Sequence, residues 1–454
     1  MPLLPFNTTT FSAASLSVIV FFSLFLSLIL CGCTTQGESL PHEAAPPVTN
    51  DFAAPRLVRF LSSEKPFAGM ECFGVVLSDN DGIPASIINM ASVDSSLCLA
   101  AGSELPMHLI KKAFQLADIR GLHKISRNHE LVVEQVRPHE LARLLPPVPV
   151  TMKQLEKQQR FIVGAGLNYN LHREEVAATE PLLFFPKFVA PSGAYHDVEA
   201  GLQLDDASAV DVILLDFEVE LGVVLLDDVD LFNLPEPEVF RNSIAFFVSN
   251  DISDREPIIL DQQYGYTQGK SHTTYLPTGP WMIHGRHMYP LTANLQGKDN
   301  LGLDLMVFDR NENNDGPQSM DSRLAQNDTT LSMRFGPWEI LRELSERLQA
   351  GERISMPDAQ GIPRYLHTEQ GFIPAGSLLL TGTPGGTAIK SPGFWQKISL
   401  FVTGGFSKQS ARQQYVLNSE EKSDVLGYLQ PGDTVECWIS GLGRQRWQVV
   451  SSEL

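Results

Sequence analysis

A chain of 454 residues with 43% apolar and 19% charged side chains can bury a sizeable core, which excludes a largely disordered protein. Its 53 acidic and 34 basic residues leave a formal charge of −19, and no Lys/Arg block offers the patch a nucleic acid needs. The 34 glycines and 30 prolines favour a turn-rich, strand-containing architecture over a helical bundle.

In chain order, residues 1–32 carry no charged side chain or histidine, and Phe11 to Leu30 is an almost unbroken apolar run. It ends in Leu30-Cys31-Gly32-Cys33, which resembles a bacterial lipobox with Cys33 as the lipidated residue. That implies a membrane-anchored lipoprotein of the cell envelope facing the periplasm or exterior. An uncleaved anchor, an ordinary signal peptide and a mis-assigned start codon are the alternatives: no positive residue precedes the run, and about 20 apolar residues span a bilayer. Residues 33–55, rich in Thr, Pro, Ala and Glu, read as a flexible tether.

Residues 56–150 form a small module of short apolar runs. One, Phe73 to Leu77, closes in the turn Asp79-Asn80-Asp81-Gly82, and the module ends in the stiff Leu145-Pro146-Pro147-Val148-Pro149. Cys72 and Cys98 are the nearer pair for a single disulfide, and no CxxC spacing supports a thiolate zinc site. From 151 to 454 short strands alternate with turns. The clearest helix starts at Pro337, carries Trp338, Leu341, Leu344 and Leu348 on one face and stops at Gly351.

Three fragments of this larger region carry chemistry. If the stretch after Gly164-Ala165-Gly166-Leu167-Asn168-Tyr169 turns helical, His172 and Glu175 share a face at i, i+3, where the carboxylate can orient the imidazole. The glycines fail as a dinucleotide loop, since Tyr169 holds the third position. In Asp216-Phe217-Glu218-Val219-Glu220-Leu221, period-two alternation puts the acids on one face, either as a hard divalent-metal site or as a solvated strand face. An apolar run then delivers Asn250-Asp251 to a strand end, where a third carboxylate can complete the site.

With Phe184-Phe185-Pro186-Lys187, Asn250-Asp251-Ile252-Ser253-Asp254-Arg255, Gly269-Lys270-Ser271, Pro277-Thr278-Gly279-Pro280-Trp281, Thr381-Gly382-Thr383-Pro384-Gly385-Gly386 and Leu429-Gln430-Pro431-Gly432-Asp433, these fragments in order resemble the fumarylacetoacetate hydrolase family over about 160–454. The resemblance implies an α+β, mainly β fold, a mixed β-sandwich roll with a small N-terminal β-rich module. It also implies a homodimer, Mg²⁺ (or Mn²⁺ or Ca²⁺) and a 2-oxo or 1,3-dioxo acid substrate. Glu218, Glu220 and Asp251 match the metal ligands; His172, Glu175 and Lys270 the catalytic groups; Lys187, Arg255 and Thr383 the substrate contacts.

The chain departs from the family pattern at three places. Ile258 stands where many members carry glutamine, with Gln262 or Gln263 as substitutes. A polar insertion follows Asp309-Arg310-Asn311 before Gln326 and Thr330. A further insertion, 387–426, has no family role; between Lys390 and Arg412 it holds four basic residues, no acid and several aromatic side chains. It reads as a lid or dimer arm, a membrane-surface contact or a loose loop. The leading functional expectation is a metal-dependent C–C hydrolase, decarboxylase or isomerase. A non-catalytic dicarboxylate- or metal-binding lipoprotein is the alternative, against which the His172–Glu175 pair argues.

Overall fold

The chain alternates short strands and short helices, which set the site at the centre of a large sheet. The N-terminal strands β1 (Leu57–Leu61), β2 (Met70–Asn80) and β3 (Ile83–Asn89) form an antiparallel meander, with β4 (Val132–Gln135) beside β3. Asp81 and Gly82 link β2 to β3 with φ of 51° and 83°, the left-handed pair that a tight hairpin turn demands. Cys72 and Cys98 form a disulfide between β2 and the short strand Cys98–Ala100. Helix α1 (Met107–Leu116) buries Leu109, Ile110, Ala113 and Phe114 at helical spacing.

Next come β5 (Ile162–Gly166), α2 (Asn170–Glu175), β6 (Leu183–Pro186), β7 (Val219–Leu225) and β8 (Ile244–Asn250). They are followed by α3 (Arg255–Leu260), α4 (Gly265–Gly269), β9 (Trp281–His284), β10 (Gly302–Phe308), β11 (Ser322–Thr329) and α5 (Pro337–Gln349). Strand β12 (Leu378–Leu380), helices α6 (Phe394–Thr403) and α7 (Lys408–Glu420), and strands β13 (Thr434–Ile439) and β14 (Gly443–Val450) complete the chain.

Among the described residues the main sheet has thirteen strands, with the path β4-β3-β2-β1-β9-β8-β7-β12-β5-β6. Along it only β12 and β5 run parallel. A second, five-stranded sheet runs β11-β10-β13-β14 and ends on Val198–Glu199. Because β1 pairs with β9, the strands of 56–150 continue the main sheet. Every residue of β7 and β8 is buried, as expected of strands covered on both faces. Val219, Leu221 and Val223 face the larger core, shared with Leu303 and Leu305 of β10 and Val435 of β13; Val224 faces a second core with Leu109 and Phe114 of α1. The expected α+β, strand-rich architecture is what folds.

This computed structural model describes residues 54–117, 130–178, 182–204, 208–261, 265–288, 301–309, 322–352, 354–358 and 360–451, with the backbone alone at 202–204, 208–211 and 394–395. All belong to one compact unit, Ala45–Leu454. The apolar run 11–30, Cys33, the tether up to residue 53, Gln262, Gln263 and the polar stretch after Arg310 lie outside the described residues. Among the described residues no helix is long and apolar enough to cross a membrane.

Candidate active site

The seven-residue antiparallel register of β7 and β8 pairs Val219 with Asn250, so the segments flanking these strands carry their acids to one point. Asn250 accepts the Glu218 N–H at 3.0 Å, and the Asp251 N–H donates to the Glu218 carbonyl at 2.9 Å. Glu218, Glu220 and Asp251 each offer a carboxylate oxygen, and these atoms lie within 4.8 Å of one another. Glu218 and Glu220 share a face, as the alternation predicts, but that face is no solvated one: Glu218, Glu220 and Asp251 are 5%, 1% and 0% exposed.

Buried charge at this density must be compensated. Arg255, at the start of α3, donates to Asp216 at 2.8 Å and to Glu218 at 2.5 Å. Lys270 reaches Glu218 at 3.0 Å, Asp251 at 2.7 Å and the Ser253 hydroxyl at 2.8 Å. Lys187 pairs with the other oxygen of Asp251 and donates to the Ile252 carbonyl at 3.1 Å. Burial works against the charged form of Glu218, but Lys270 and Arg255 outweigh it and hold the carboxyl below its ordinary range. Burial lowers Lys187 to about 8, with Asp251 opposing.

Glu220 differs from its neighbours. Its carboxylate accepts the Gly382 N–H at 2.9 Å, and no cation of the described residues lies within 4 Å. Burial first, then the Asp251 and Glu218 charges, push it well above the usual carboxylate range. Three hard oxygen donors, one of them lacking a counter-charge, fit a divalent cation of the Mg²⁺ or Mn²⁺ kind.

The sequence-predicted helix forms as α2 and carries His172 and Glu175, with Nδ1 and Oε2 3.7 Å apart. The Thr387 hydroxyl lies 3.5 Å from the same nitrogen. Glu175 accepts the Gly386 N–H at 3.0 and 3.1 Å and the Lys390 ammonium at 2.5 Å. Burial would raise it; the His172 and Lys390 contacts outweigh burial and leave it below its ordinary value. Gly386 has φ +105°, and a Cβ there would stand 2.0 Å from the Ala325 carbonyl, so only glycine lets this turn reach Glu175.

A cavity of about 820 Å³ opens onto the cluster, lined by His172, Glu218, Arg255, Lys270 and Thr383 of the predicted residues. Lys187, Glu175, Glu220 and Asp251 are not in its wall. Lys187, expected to touch substrate, is instead a fully enclosed brace on Asp251, because β6 brings it to that carboxylate's far oxygen. The Thr383 hydroxyl spends its one proton on the Val219 carbonyl at 3.0 Å and accepts from Gln326 at 2.8 Å. Ile258 lies in the wall where the family pattern has glutamine.

Sequence reasoning missed three contributors. Asp216 takes Arg255 and also the Ala388 and Ile389 N–H groups, at 2.9 and 3.1 Å; its place in the acidic alternation was the available signal. Gln326 braces the Val219 N–H at 2.9 Å as well as Thr383. Lys390 belongs to the insertion, where no motif marks it.

The family model described as fumarylacetoacetate (FAA) hydrolase C-terminal matches residues 161–450. A 2,4-didehydro-3-deoxy-L-rhamnonate hydrolase from Sphingomonas sp. (strain SKA58) is 25% identical over 299 residues, 63% of this chain and 72% of the relative. A fumarylacetoacetate hydrolase domain-containing protein 2 homolog from Dictyostelium discoideum is 24% identical over 223 residues, 48% of this chain and 66% of the relative. The solved fumarylacetoacetate hydrolase of Exiguobacterium antarcticum superposes with a TM-score of 0.51 at 17% identity, covering 88% of this chain and 100% of its own, a likeness of fold. With its family model spanning the whole cavity-bearing region, the chain belongs to the fumarylacetoacetate hydrolase family and is an enzyme of that family.

Proposed function

We propose that this chain is a divalent-metal-dependent enzyme that hydrolyses a C–C bond of a 2-oxo or 1,3-dioxo acid, such as an acylpyruvate, or decarboxylates such an acid. The observation that carries the reading is the buried Glu218, Glu220, Asp251 cluster lying beside a cavity that His172 also lines. Membership of the family and a hydrolase among the relatives support it. In keeping with the N-terminal reading, we further propose an envelope-tethered protein, and a homodimer in keeping with the family resemblance.

Glu218, Glu220 and Asp251 would hold Mg²⁺, which supplies Lewis-acid stabilisation of negative charge on a 2-oxo acid. His172, oriented by Glu175, takes a proton from water as that water adds to the distal carbonyl. The bond between that carbonyl carbon and the neighbouring CH₂ then breaks, and its electron pair passes to the 2-oxo acid fragment as an enolate, which takes up a proton. Lys270 and Arg255, each in the cavity wall, offset the developing negative charge. Where no distal carbonyl is present, the same cationic wall supports loss of CO₂.

A panel of acylpyruvates, oxaloacetate and fumarylacetoacetate with Mg²⁺ tests the reading. Metal-dependent loss of the 1,3-dioxo absorbance, with a carboxylate product, is the expected result. Absence of turnover across the panel with Mg²⁺, Mn²⁺ and Ca²⁺ would remove it.

A further inference from the structure

The insertion 387–426 folds into α6 and α7, and both helices enter the cavity wall. Their position is fixed at the root: Ala388 and Ile389 donate to Asp216, the Tyr415 hydroxyl donates to the Lys390 carbonyl, and Arg412 donates to the Leu260 carbonyl at 3.4 Å. The wall therefore has two parts of different chemistry. The floor holds Glu218 with Arg255 and Lys270. The outer part holds an apolar band that includes Val176, Ile258, Ile259, Ile389, Leu400 and Phe401, and beyond it Lys390, Lys397, Lys408 and Arg412.

Among the described residues of this wall Glu218 is the one acid, and it is already paired with Arg255 and Lys270. Lys390 is committed to Glu175. Lys397 and Lys408 are exposed and have no carboxylate within 4 Å among the described residues. In a chain of net charge −19, a cavity mouth with four basic groups reverses the local field and draws anions inward.

We infer that the insertion builds a second anion subsite at the cavity mouth, and that the substrate is an elongated 2-oxo acid with an apolar middle and a second anionic group at its far end. This rests on the reading of the site as one for 2-oxo acids. The floor takes the 2-oxo carboxylate end. The apolar band, with Ile258, Ile259 and Leu400, takes the middle. Lys397 and Lys408 take the distal anion. About 820 Å³ is ample for such a molecule, since pockets for drug-sized ligands span roughly 300–1,000 Å³.

Three probes matched in the number of chain atoms test this by calorimetry on the Mg²⁺-loaded protein: 2-oxooctanoate, 2-oxooctanedioate and 7-phosphono-2-oxoheptanoate. The diacid is expected to bind roughly tenfold more tightly than the monoacid, as two partly desolvated charge contacts allow. In K397Q/K408Q that ratio falls to within about twofold. Equal affinities in the wild type, or an undiminished ratio in the double variant, would overturn the subsite. A preference for the phosphonate over the diacid assigns the distal group to the phosphate class rather than the carboxylates. Diacid preference with no acylpyruvate turnover overturns the proposed reaction and leaves the subsite standing; failure of all three probes to bind overturns both.

Discussion

The floor of the cavity and its rim are built on opposite terms. The floor hangs on β7 and β8, where each side chain is buried, and its acids and bases hold one another in fixed bonds: Asp216 to Arg255, Glu218 to Arg255 and Lys270, Asp251 to Lys270 and Lys187. The rim hangs on α6 and α7, where Phe401 and Val402 of α6 are 39% and 51% exposed and two lysines have no carboxylate beside them among the described residues. Metal and proton chemistry needs sub-ångström placement, which a sheet covered on both faces supplies. Selection among substrates needs a surface that can change without disturbing that placement, and a helical excursion rooted at Asp216 supplies it.

The sharpest way to break this contrast is to remove the floor's one uncompensated acid. Glu220→Ala should abolish Mg²⁺ binding by calorimetry and reduce turnover by at least about a thousandfold. Its melting temperature in EDTA should not fall below that of the wild type, because no cation loses a partner. Unchanged Mg²⁺ affinity would show that the cluster is a structural charge network.

The next effect is kinetic. His172→Ala should lower kcat by roughly 10²–10⁴ with Mg²⁺ affinity close to that of the wild type, as for loss of a general base. If kcat holds, the water-activating role falls away and decarboxylation becomes the better reading.

A third test lies where the two regions meet. Asp254 caps α3 by accepting the Glu256 N–H at 3.0 Å. Burial, with the charges of Glu256 and of Glu420 on α7, pushes its carboxyl up to about 7 against that N–H and Arg255. The group therefore binds its proton more tightly folded than unfolded. The stability it contributes is complete below about pH 4 and is lost as pH rises through 7, on the order of 2–4 kcal/mol. Asp254→Asn keeps the cap acceptor and mimics the protonated acid. In EDTA, its stability relative to the wild type should grow between pH 4 and pH 8 in urea unfolding. A difference independent of pH would place the proton elsewhere.

The same contrast explains what could be read from sequence. The floor was legible because its chemistry forces residue types into short, ordered patterns: the alternating Glu218 and Glu220, the strand-end Asp251, and His172 three residues before Glu175. Burial of the acids was not legible, since alternation alone cannot tell a solvated face from one covered by a second sheet. The brace roles of Gln326 and Lys187 depend on contacts between strands far apart in sequence. The turn at Asp81-Gly82, the Cys72–Cys98 bond and α5 were readable because local chemistry decides them. The insertion carried only its charge and aromatic content, which fit a lid, a dimer arm or a membrane contact equally; its place in the cavity wall is a tertiary fact.

The smallest expected effect sits on the ion pair between rim and dyad. Lys390 is half exposed, so its pair with Glu175 is screened and contributes little to folding. What it changes is the carboxylate that faces His172 and that also accepts the Gly386 N–H. In Lys390→Gln, Glu175 loses one of the contacts that hold it below its ordinary value, while the Gly386 contact and the 3.7 Å approach to His172 remain available. The acid limb of the kcat–pH profile should move to higher pH, because Glu175 then protonates more readily, and kcat at neutral pH should fall about threefold or less. Restoring the charge with arginine should return the limb toward its original position. A profile identical to that of the wild type would mean that the rim touches the dyad without tuning it, and that the division between a fixed floor and a variable rim is complete.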